Sequence, residues 1–438
     1  MRNVKDYGAK GDGVTKDTRA IQDAIDAGGV VHFPPGVYLT GTIFLRSNGG
    51  LDLEEGAVIL GSPDREDYNA DDVIPQNRAF TSEHVSGAHL IIAAEQHNIV
   101  LRGGRIDGNR QAFMNDPDPV NPHVFAFPEW RPGQMVFFCE CENVTITDME
   151  MVNPPYWTLF LHGCEYVTIR GLRNTNDFRT HNGDGMDLDC CRFVTVSDCI
   201  IHSADDCITL RANDEPLKKK RFCEYVTISN CILSTRCNAF RIGVGGGTVR
   251  RCTISNIIIH DTRTAVCLVS QYSTNSPGVV IEDIMLDNIR MDCQRPFQIA
   301  TTPRGLRPEE ARPIQRISVS RVRGTARVSS ILQGRSAGYL KDVSFRDVRL
   351  AFQPDENTAP RPVTSYGEFV TGNPPAAFFV ENAEKILFQD VEVECGTDER
   401  RKYAVWSRDS DVRFENCRWD RPCPDEKTAQ DNSGGPVK

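Results

Sequence analysis

The chain has 438 residues, enough to bury a large core, and its composition is that of an ordinary folded protein rather than a disordered or fibrous one. Its formal charge of −10 argues against a nucleic-acid partner, because phosphate binding needs a basic field. No apolar run approaches the ~20 residues of a membrane span, so the sequence predicts no membrane partner.

The opening MRNVKDYGAKGDG lacks the apolar h-region of a signal peptide. DTRAIQDAIDAGG then reads as a short amphipathic helix with Ile21, Ala24 and Ile25 on one face and Gly28 ending it. Such a helix caps a stack of strands whose open end would otherwise aggregate.

From Ile99 onward the chain repeats itself. CENVTI, CEYVTI, CRFVTV and CEYVTI place equivalent residues at Val144, Val167, Val194 and Val226. Weaker copies follow at Cys252, Val279, Ile317, Val343, Ile386 and Val412, and HNIVLRGG places an earlier one at Ile99. Each copy alternates apolar and polar residues and then turns at Asn, Asp or Gly, the pattern of a short strand. Most intervals are too short for a propeller blade of about 40–45 residues. They suit a coil of about three short strands stacked on its neighbour ~4.8 Å away. The expected fold is therefore all-β, a right-handed parallel β-helix. It forms a single domain over residues 1–423, of which 1–60 are the N-terminal cap and first coils. Residues 424–438 read as a disordered tail. Three longer intervals (99–144, 279–317 and 343–386) are expected to be loops projecting from one edge.

Sixteen cysteines, among them Cys141, Cys164, Cys191, Cys223 and Cys252, recur at strand edges rather than as CxxC pairs. That pattern predicts buried thiols at equivalent positions, not disulfides or a zinc site. Together with the missing h-region it predicts a cytoplasmic location, or a secreted or periplasmic one if the sequence is a mature chain.

The segment HNGDGMDLDCCRFVTVSDCIIHSADDCITLRAN (181–213) carries the chemistry. Asp184 and Asp205 are one short coil apart, and Asp206 adds a third carboxylate. Adjacent strand residues normally face opposite sides, so Asp205 and Asp206 share a cleft only at a bend. Asp187, Asp189 and Asp198 read as turn residues capping backbone N–H groups. A calcium site is an alternative use of the cluster. The sharper reading is glycosidic bond hydrolysis, which needs one protonated and one ionised carboxyl group. Crowded carboxylates supply both, because repulsion raises the pKa of one of them.

These motifs resemble glycoside hydrolase family 28, the polygalacturonase and rhamnogalacturonan-hydrolase family. VKDYGAKGDGVTKDTRAIQDAID, GGVVHFPPGVYLTGTIFLRSN and NPPYWTLF resemble its N-terminal cap, first coils and approach to the active site. Its NTDGxD motif appears as NGDGMD (Asn182 to Asp187) and its GDDC motif as ADDC (Ala204 to Cys207). The resemblance implies the pectin-lyase-like solenoid, an inverting mechanism with no metal or cofactor, and a pectic carbohydrate as substrate. It implies that Asp205 is the general acid, while Asp184 and Asp206 hold and deprotonate the attacking water.

Two motifs depart from the family. Its GHG histidine falls at Arg236–Cys237–Asn238, and its RIK cations fall at Cys267–Leu268–Val269. Phe160 replaces a histidine, although His162 lies two residues on. In polygalacturonases the RIK cations bind a galacturonate carboxylate, so their loss shifts the expectation toward a rhamnogalacturonan-type linkage. Arg211 and Arg241 are candidate replacement clamps. Cys237, Asn238 and Asn182 are candidate substrate contacts by position, and Trp157 is a candidate sugar-stacking ring. The run Lys218–Arg221 is a solvated loop or, beside a cleft, an attractor for a polyanion. A lyase or epimerase on the same fold and a non-catalytic glycan-binding β-helix are the alternative functions.

Overall fold

The computed structural model describes residues 2–77, 83–271, 277–301, 312–355, 361–366 and 369–427. Its main sheet is a right-handed parallel β-helix in which strands pair with their counterparts one coil away rather than with their sequence neighbours. One coil comprises Val136–Cys139, Glu142–Thr147 and Glu150–Val152. The next comprises Leu159–His162, Glu165–Arg170 and Arg173–Thr175. The three strands of each pair in parallel with those of the other.

The repeat read from the sequence is a physical row. Ile99, Val144, Val167, Val194, Val226 and Cys252 lie in register on successive coils. The row continues through Ile284, Ile317, Val343, Ile386 and Val412. All but the last are buried. The expectation at Val279 is corrected: Ile284 holds the place, and Val279 precedes the strand Val280–Ala300. The residue before each row member from Ile99 to Ile386 has φ between 53° and 57°. That left-handed residue makes the corner at which the chain turns to the next face.

A second corner carries a ladder of asparagines. Asn288 donates to Asn256, Asn256 to Asn230 and Asn230 to Asp198, over 2.7, 3.3 and 3.2 Å. All four residues have positive φ, a conformation that Asn and Asp tolerate better than other side chains. Asn256→Ala is therefore expected to cost about 1–2 kcal/mol from left-handed strain alone. The result should appear as a lower urea midpoint with an unchanged slope.

The helix Thr18–Asp26 buries Ile21, Ala24 and Ile25 against the first coil, and Gly28 follows at φ 85°. Cys141, Cys164, Cys191 and Cys223 stack on four successive coils, as the pairing of their neighbours shows. Cys252 does not join them; it sits in the Val226 row, and Cys223 meets Val249. The thiols of Cys141, Cys164 and Cys191 donate to buried carbonyls. The boundary of the expected tail is also corrected, because Asp425–Glu426 pairs with Ser407 and Arg408. The remainder of that tail, 428–438, lies outside the described residues. So do 302–311 of one expected loop and 356–360 and 367–368 of another.

Candidate active site

The face built from Leu159–His162, Met186–Asp189, Ile208–Ala212 and Asn238–Gly245 carries the carboxylates. Met186 pairs with Ile208, and the Gly185 N–H donates to the Asp206 carbonyl at 2.8 Å. Two residues back along that register, Asp184 stands level with Asp206 on adjacent coils. The chain bends at 204–206, where the N–H groups of Ala204 and Asp205 both donate to the Gly183 carbonyl. The hydroxyls of Ser203 and Thr235 donate to the Asp205 carbonyl. This bend breaks the strict alternation of faces and lets Asp205 and Asp206 share one site.

Burial sets the electrostatics. Asp184 is 5% exposed; burial first, then the charges of Asp187, Asp205 and Asp206, hold it well above the usual carboxylate range. Asp205 is pushed up to about 6, mainly by burial and then by Asp206, while the hydrogen-bonded Cys237 thiol and the Arg263 charge oppose the shift. Asp206 Oδ1 accepts the backbone N–H of Asn238 at 3.2 Å and its side-chain Nδ2 at 2.7 Å. Two donors on one oxygen suit a charged acceptor. Asp205, Asp206 and Cys237 each bring a ligand atom within 4.8 Å of the others. A thiol and two carboxylates do not match the 6–8 oxygens that calcium takes, and burial together with Asp205 and Asp206 pushes Cys237 up, toward the neutral thiol.

The candidate binding residues have more structural roles than expected. Arg211 is not an open clamp. Its guanidinium lies 3.3 Å from Asp187 and 3.4 Å from Asp189, and 4.6 Å from the centre of the Trp157 ring. Asp187 and Asp189 are buried ion-pair partners of Arg211; Asp189 also caps a backbone N–H as expected, that of Asn213 at 2.7 Å, whereas Asp187 pairs with Arg211 instead. Burial pushes Asp187 up to about 7 even though Arg211 pulls the other way. Trp157, 5% exposed, is stacked on Tyr156 at 5.0 Å and meets the Phe160 edge. It supports Arg211 and presents no open face to a sugar. Arg241 is 3% exposed and donates to Cys267 Sγ at 3.6 Å, directly across the strand pair. Asn238 and Cys237 position the carboxylates. Asn182, at φ 52°, forms the bend that delivers Asp184.

His162 does not reach the site. It is 2% exposed, pairs across to Asp189, and its Nε2 bonds the Asn213 carbonyl at 2.9 Å. The Lys218–Arg221 run is tied to a corner of the solenoid. Lys218 meets Glu95, the N–H groups of Lys218 and Lys219 donate to Glu140, and Arg221 pairs with Glu165.

Three participants carry no repeat or motif signal that marked them. Glu83 accepts the hydroxyl of the buried Tyr156 and adds its charge to the field on Asp205. Arg131 is fully buried and donates to the carbonyls of Glu83, His84, Pro155 and His181, fastening the loops around the carboxylates. Arg263 donates to Cys237 Sγ at 2.8 Å; its one available signal was its position 26 residues, one coil, after Cys237.

Comparison with known proteins gives three kinds of match. Residues 1–289 match the family described as rhamnogalacturonase A/epimerase, pectate lyase-like. A probable polygalacturonase of Vitis vinifera is 26% identical over 221 residues, covering 48% of this chain and 44% of that one. An exo-poly-alpha-D-galacturonosidase of Dickeya chrysanthemi is 28% identical over 260 residues, covering 48% and 42%. The chain thus spans less than half the length of these two relatives. A family 28 exopolygalacturonase of Yersinia enterocolitica superposes with a TM-score of 0.67 at 17% identity, over 97% of this chain and 77% of that one. An exopolygalacturonase of Thermotoga maritima gives 0.63 at 20%, over 95% and 91%. The expected cytoplasmic location is overturned, since polygalacturonases such as these relatives are secreted or periplasmic enzymes. The stacked cysteines report packing inside the solenoid, not a redox compartment.

Proposed function

The chain belongs to the rhamnogalacturonase A/epimerase, pectate lyase-like family, and from that premise we propose that it is an inverting glycoside hydrolase of a pectic poly- or oligosaccharide. The observation that carries this reading is the convergence of Asp184 from one coil with Asp205 and Asp206 from the bend of the next, where burial raises Asp184 and Asp205 and Asn238 donates to Asp206.

In this mechanism Asp205 is the acid. A carboxyl group that titrates near 6 keeps its proton in mildly acidic solution and is acidic enough to release it. It protonates the glycosidic oxygen as the bond from the anomeric carbon to that oxygen breaks. Asp206, with Asn238 on its Oδ1, removes a proton from a water held by Asp184, and the water oxygen bonds the anomeric carbon from the opposite face. The products are two sugars that together contain one added water, and both carboxyl groups reset by proton exchange. Cys237 takes the place of the family histidine as a hydrogen-bond partner of the acid.

The linkage is read as rhamnogalacturonan-type before plain polygalacturonan, because Cys267 and Val269 stand where the family carries carboxylate-binding cations. The test is digestion of a panel of pectic oligosaccharides, including rhamnogalacturonan fragments, followed by mass spectrometry and proton NMR of the fresh product. Water-added fragments with an inverted anomeric centre are expected. A retained anomer would sink inversion, and an unsaturated fragment would reveal a lyase. Binding without turnover throughout the panel would make the chain a glycan-binding protein.

A further inference from the structure

Beside the carboxylates the chain departs from its family's motifs at two positions that touch. The NTDGxD motif has a threonine where this chain has Gly183, and the GDDC motif has a glycine where this chain has Ala204. The two departures are one exchange. A Cβ on Gly183 would stand 2.8 Å from the Ala204 Cβ, well inside the ~3.5–4.0 Å at which carbon atoms pack. The methyl group at 204 therefore requires glycine at 183. The exchange also places Asn182 directly before a glycine.

An asparagine in that position carries its own reaction partner. The Gly183 nitrogen, having lost its proton, attacks Asn182 Cγ, and the new N–Cγ bond closes a five-membered succinimide. The Cγ–Nδ2 bond breaks, and the NH2 group takes up the amide proton and leaves as ammonia. Water then opens the ring. Addition at Cγ restores the main chain with an aspartate; addition at the Asn182 backbone carbonyl leaves an isoaspartate, whose main chain is one methylene longer. Glycine favours closure because no Cβ shields its nitrogen and its backbone turns freely. Water is the one co-reactant.

The local structure leaves this dipeptide open. Asn182 and Gly183 lie in the connection between Arg173–Thr175 and Met186–Asp189. Among the described residues neither the Asn182 side chain nor the Gly183 N–H has a hydrogen-bond partner. Asn48, which also precedes a glycine, has a similar left-handed φ, 60° against 52°, but is held. Its N–H donates to the His97 carbonyl, its side chain accepts from Asn98, and Gly49 opens a strand in register with Ile99. At Asp184–Gly185 the glycine N–H is committed to the Asp206 carbonyl. The Gly183 carbonyl, in contrast to its N–H, ties the site together. It accepts Asn176 Nδ2 at 2.8 Å and the N–H groups of Ala204 and Asp205 at 2.9 and 3.3 Å.

We propose that Asn182 is a site of spontaneous covalent modification, converted through a succinimide to aspartate or isoaspartate, and that the conversion shuts down the carboxylate site it borders. Either product acts on that site. Aspartate adds a negative charge two residues from Asp184, which burial and like charges already hold above the usual carboxylate range. Isoaspartate lengthens the main chain directly before Gly183 and so displaces the carbonyl on which the bend at 204–206 is built. The covalent step is independent of the hydrolase reading; its consequence for turnover rests on it.

In the experiment the full chain is aged at pH 7 and pH 8, digested with trypsin beside an unaged sample, and its peptides are measured by mass spectrometry. Thr180–Arg192 contains no amide side chain besides Asn182, and Ser47–Arg65 none besides Asn48. A gain of about 1 Da, amide to acid, is expected on the first peptide at least about 10-fold faster than on the second, a barrier lower by about 1.4 kcal/mol. It should be about 10-fold faster at pH 8 than at pH 7, because the deprotonated nitrogen attacks. The double variant Gly183→Thr, Ala204→Gly restores the family pair, shields the nitrogen and should slow the gain by at least about 10-fold. Hydrolysis of the pectic oligosaccharide panel should fall in step with the gain. Asn182→Asp, made directly, should begin at least about 10-fold lower in kcat and keep its melting midpoint, since aspartate tolerates positive φ as asparagine does. No gain at Asn182, a gain no faster than at Asn48, or an equal gain in the double variant would overturn the modification site. Full turnover by the converted chain and by Asn182→Asp would overturn the shutdown. A panel left uncut by the unaged chain sinks the hydrolase and the shutdown with it, while the mass gain still decides the modification.

Discussion

Asp205→Asn is expected to lower kcat by about 10³-fold, within the range for loss of a general acid, while changing KM little. The same change is expected to raise the thermal midpoint at pH 7. Asp205 titrates near 6 in the folded chain against 3.8 when unperturbed. Between those values the folded state holds more protons than the unfolded one, so stability falls as pH rises through the window. At pH 7 the folded chain carries the full cost of a buried charge, which asparagine removes; at pH 4 it carries little. Melting curves at both values should therefore show the variant ahead at pH 7 and level with the parent at pH 4. Activity of the unmutated enzyme should decline as pH rises above about 6 and the acid loses its proton. Retention of full activity by Asp205→Asn would remove the mechanism, and a lower midpoint at pH 7 would remove the electrostatic account. Loss of activity with a gain of stability is the expected signature of a site in which function is held against folding preference.

The solenoid was legible because stacking imposes the same environment on every coil. A position that faces the core in one turn faces it in all, so Val144, Val167, Val194 and Val226 advertise the register. The one misplaced member, Val279, lies in the run Val279–Val280–Ile281, where consecutive apolar residues hide the phase that Ile284 keeps. The turns at Asn, Asp or Gly after each copy were visible as well, since Asn and Asp tolerate positive φ better than other side chains, although the other corner is made as often by Tyr, Phe, Arg or Lys as by Asn or Asp. The carboxylates were legible by motif, and their convergence follows from coil spacing together with the bend at 204–206. Their partners were not. Trp157 reaches Arg211 across 54 residues, and Glu83 and Arg131 come from two separate connections that obey no period. Sequence spacing reports what repeats along the axis. It is silent on side chains that cross from one row to another, which is why Arg211 read as a clamp for substrate and proved to be a counter-ion for Asp187 and Asp189.

That counter-ion role makes Arg211→Met the substitution with the largest expected effect on stability. Asp187 and Asp189 have side chains 0% and 1% exposed, and Arg211 one of 13%, so little water reaches the cluster. Removing one member of a buried ion pair typically costs about 3–5 kcal/mol, since the remaining charge has lost its partner. Here two carboxylates remain. Asp187 already sits near 7 with Arg211 pulling it down, and without that pull it rises further. Its raised value means that the folded state keeps a proton the unfolded chain has released. The loss in the variant should consequently be smallest at pH 5 and grow toward pH 8. Urea unfolding at both values would measure it. Adding Asp187→Asn and Asp189→Asn to Arg211→Met removes the stranded charges and should recover much of the loss, in the way that neutral replacement of a buried ionic cluster is often tolerated. Activity should fall in the single variant as well, because Arg211 is the positive charge that opposes the upward push on Asp184. A single variant within about 1 kcal/mol of the parent at pH 8 would put Arg211 in the range of a solvent-screened surface pair, and the geometry would then have to be explained by substrate binding after all.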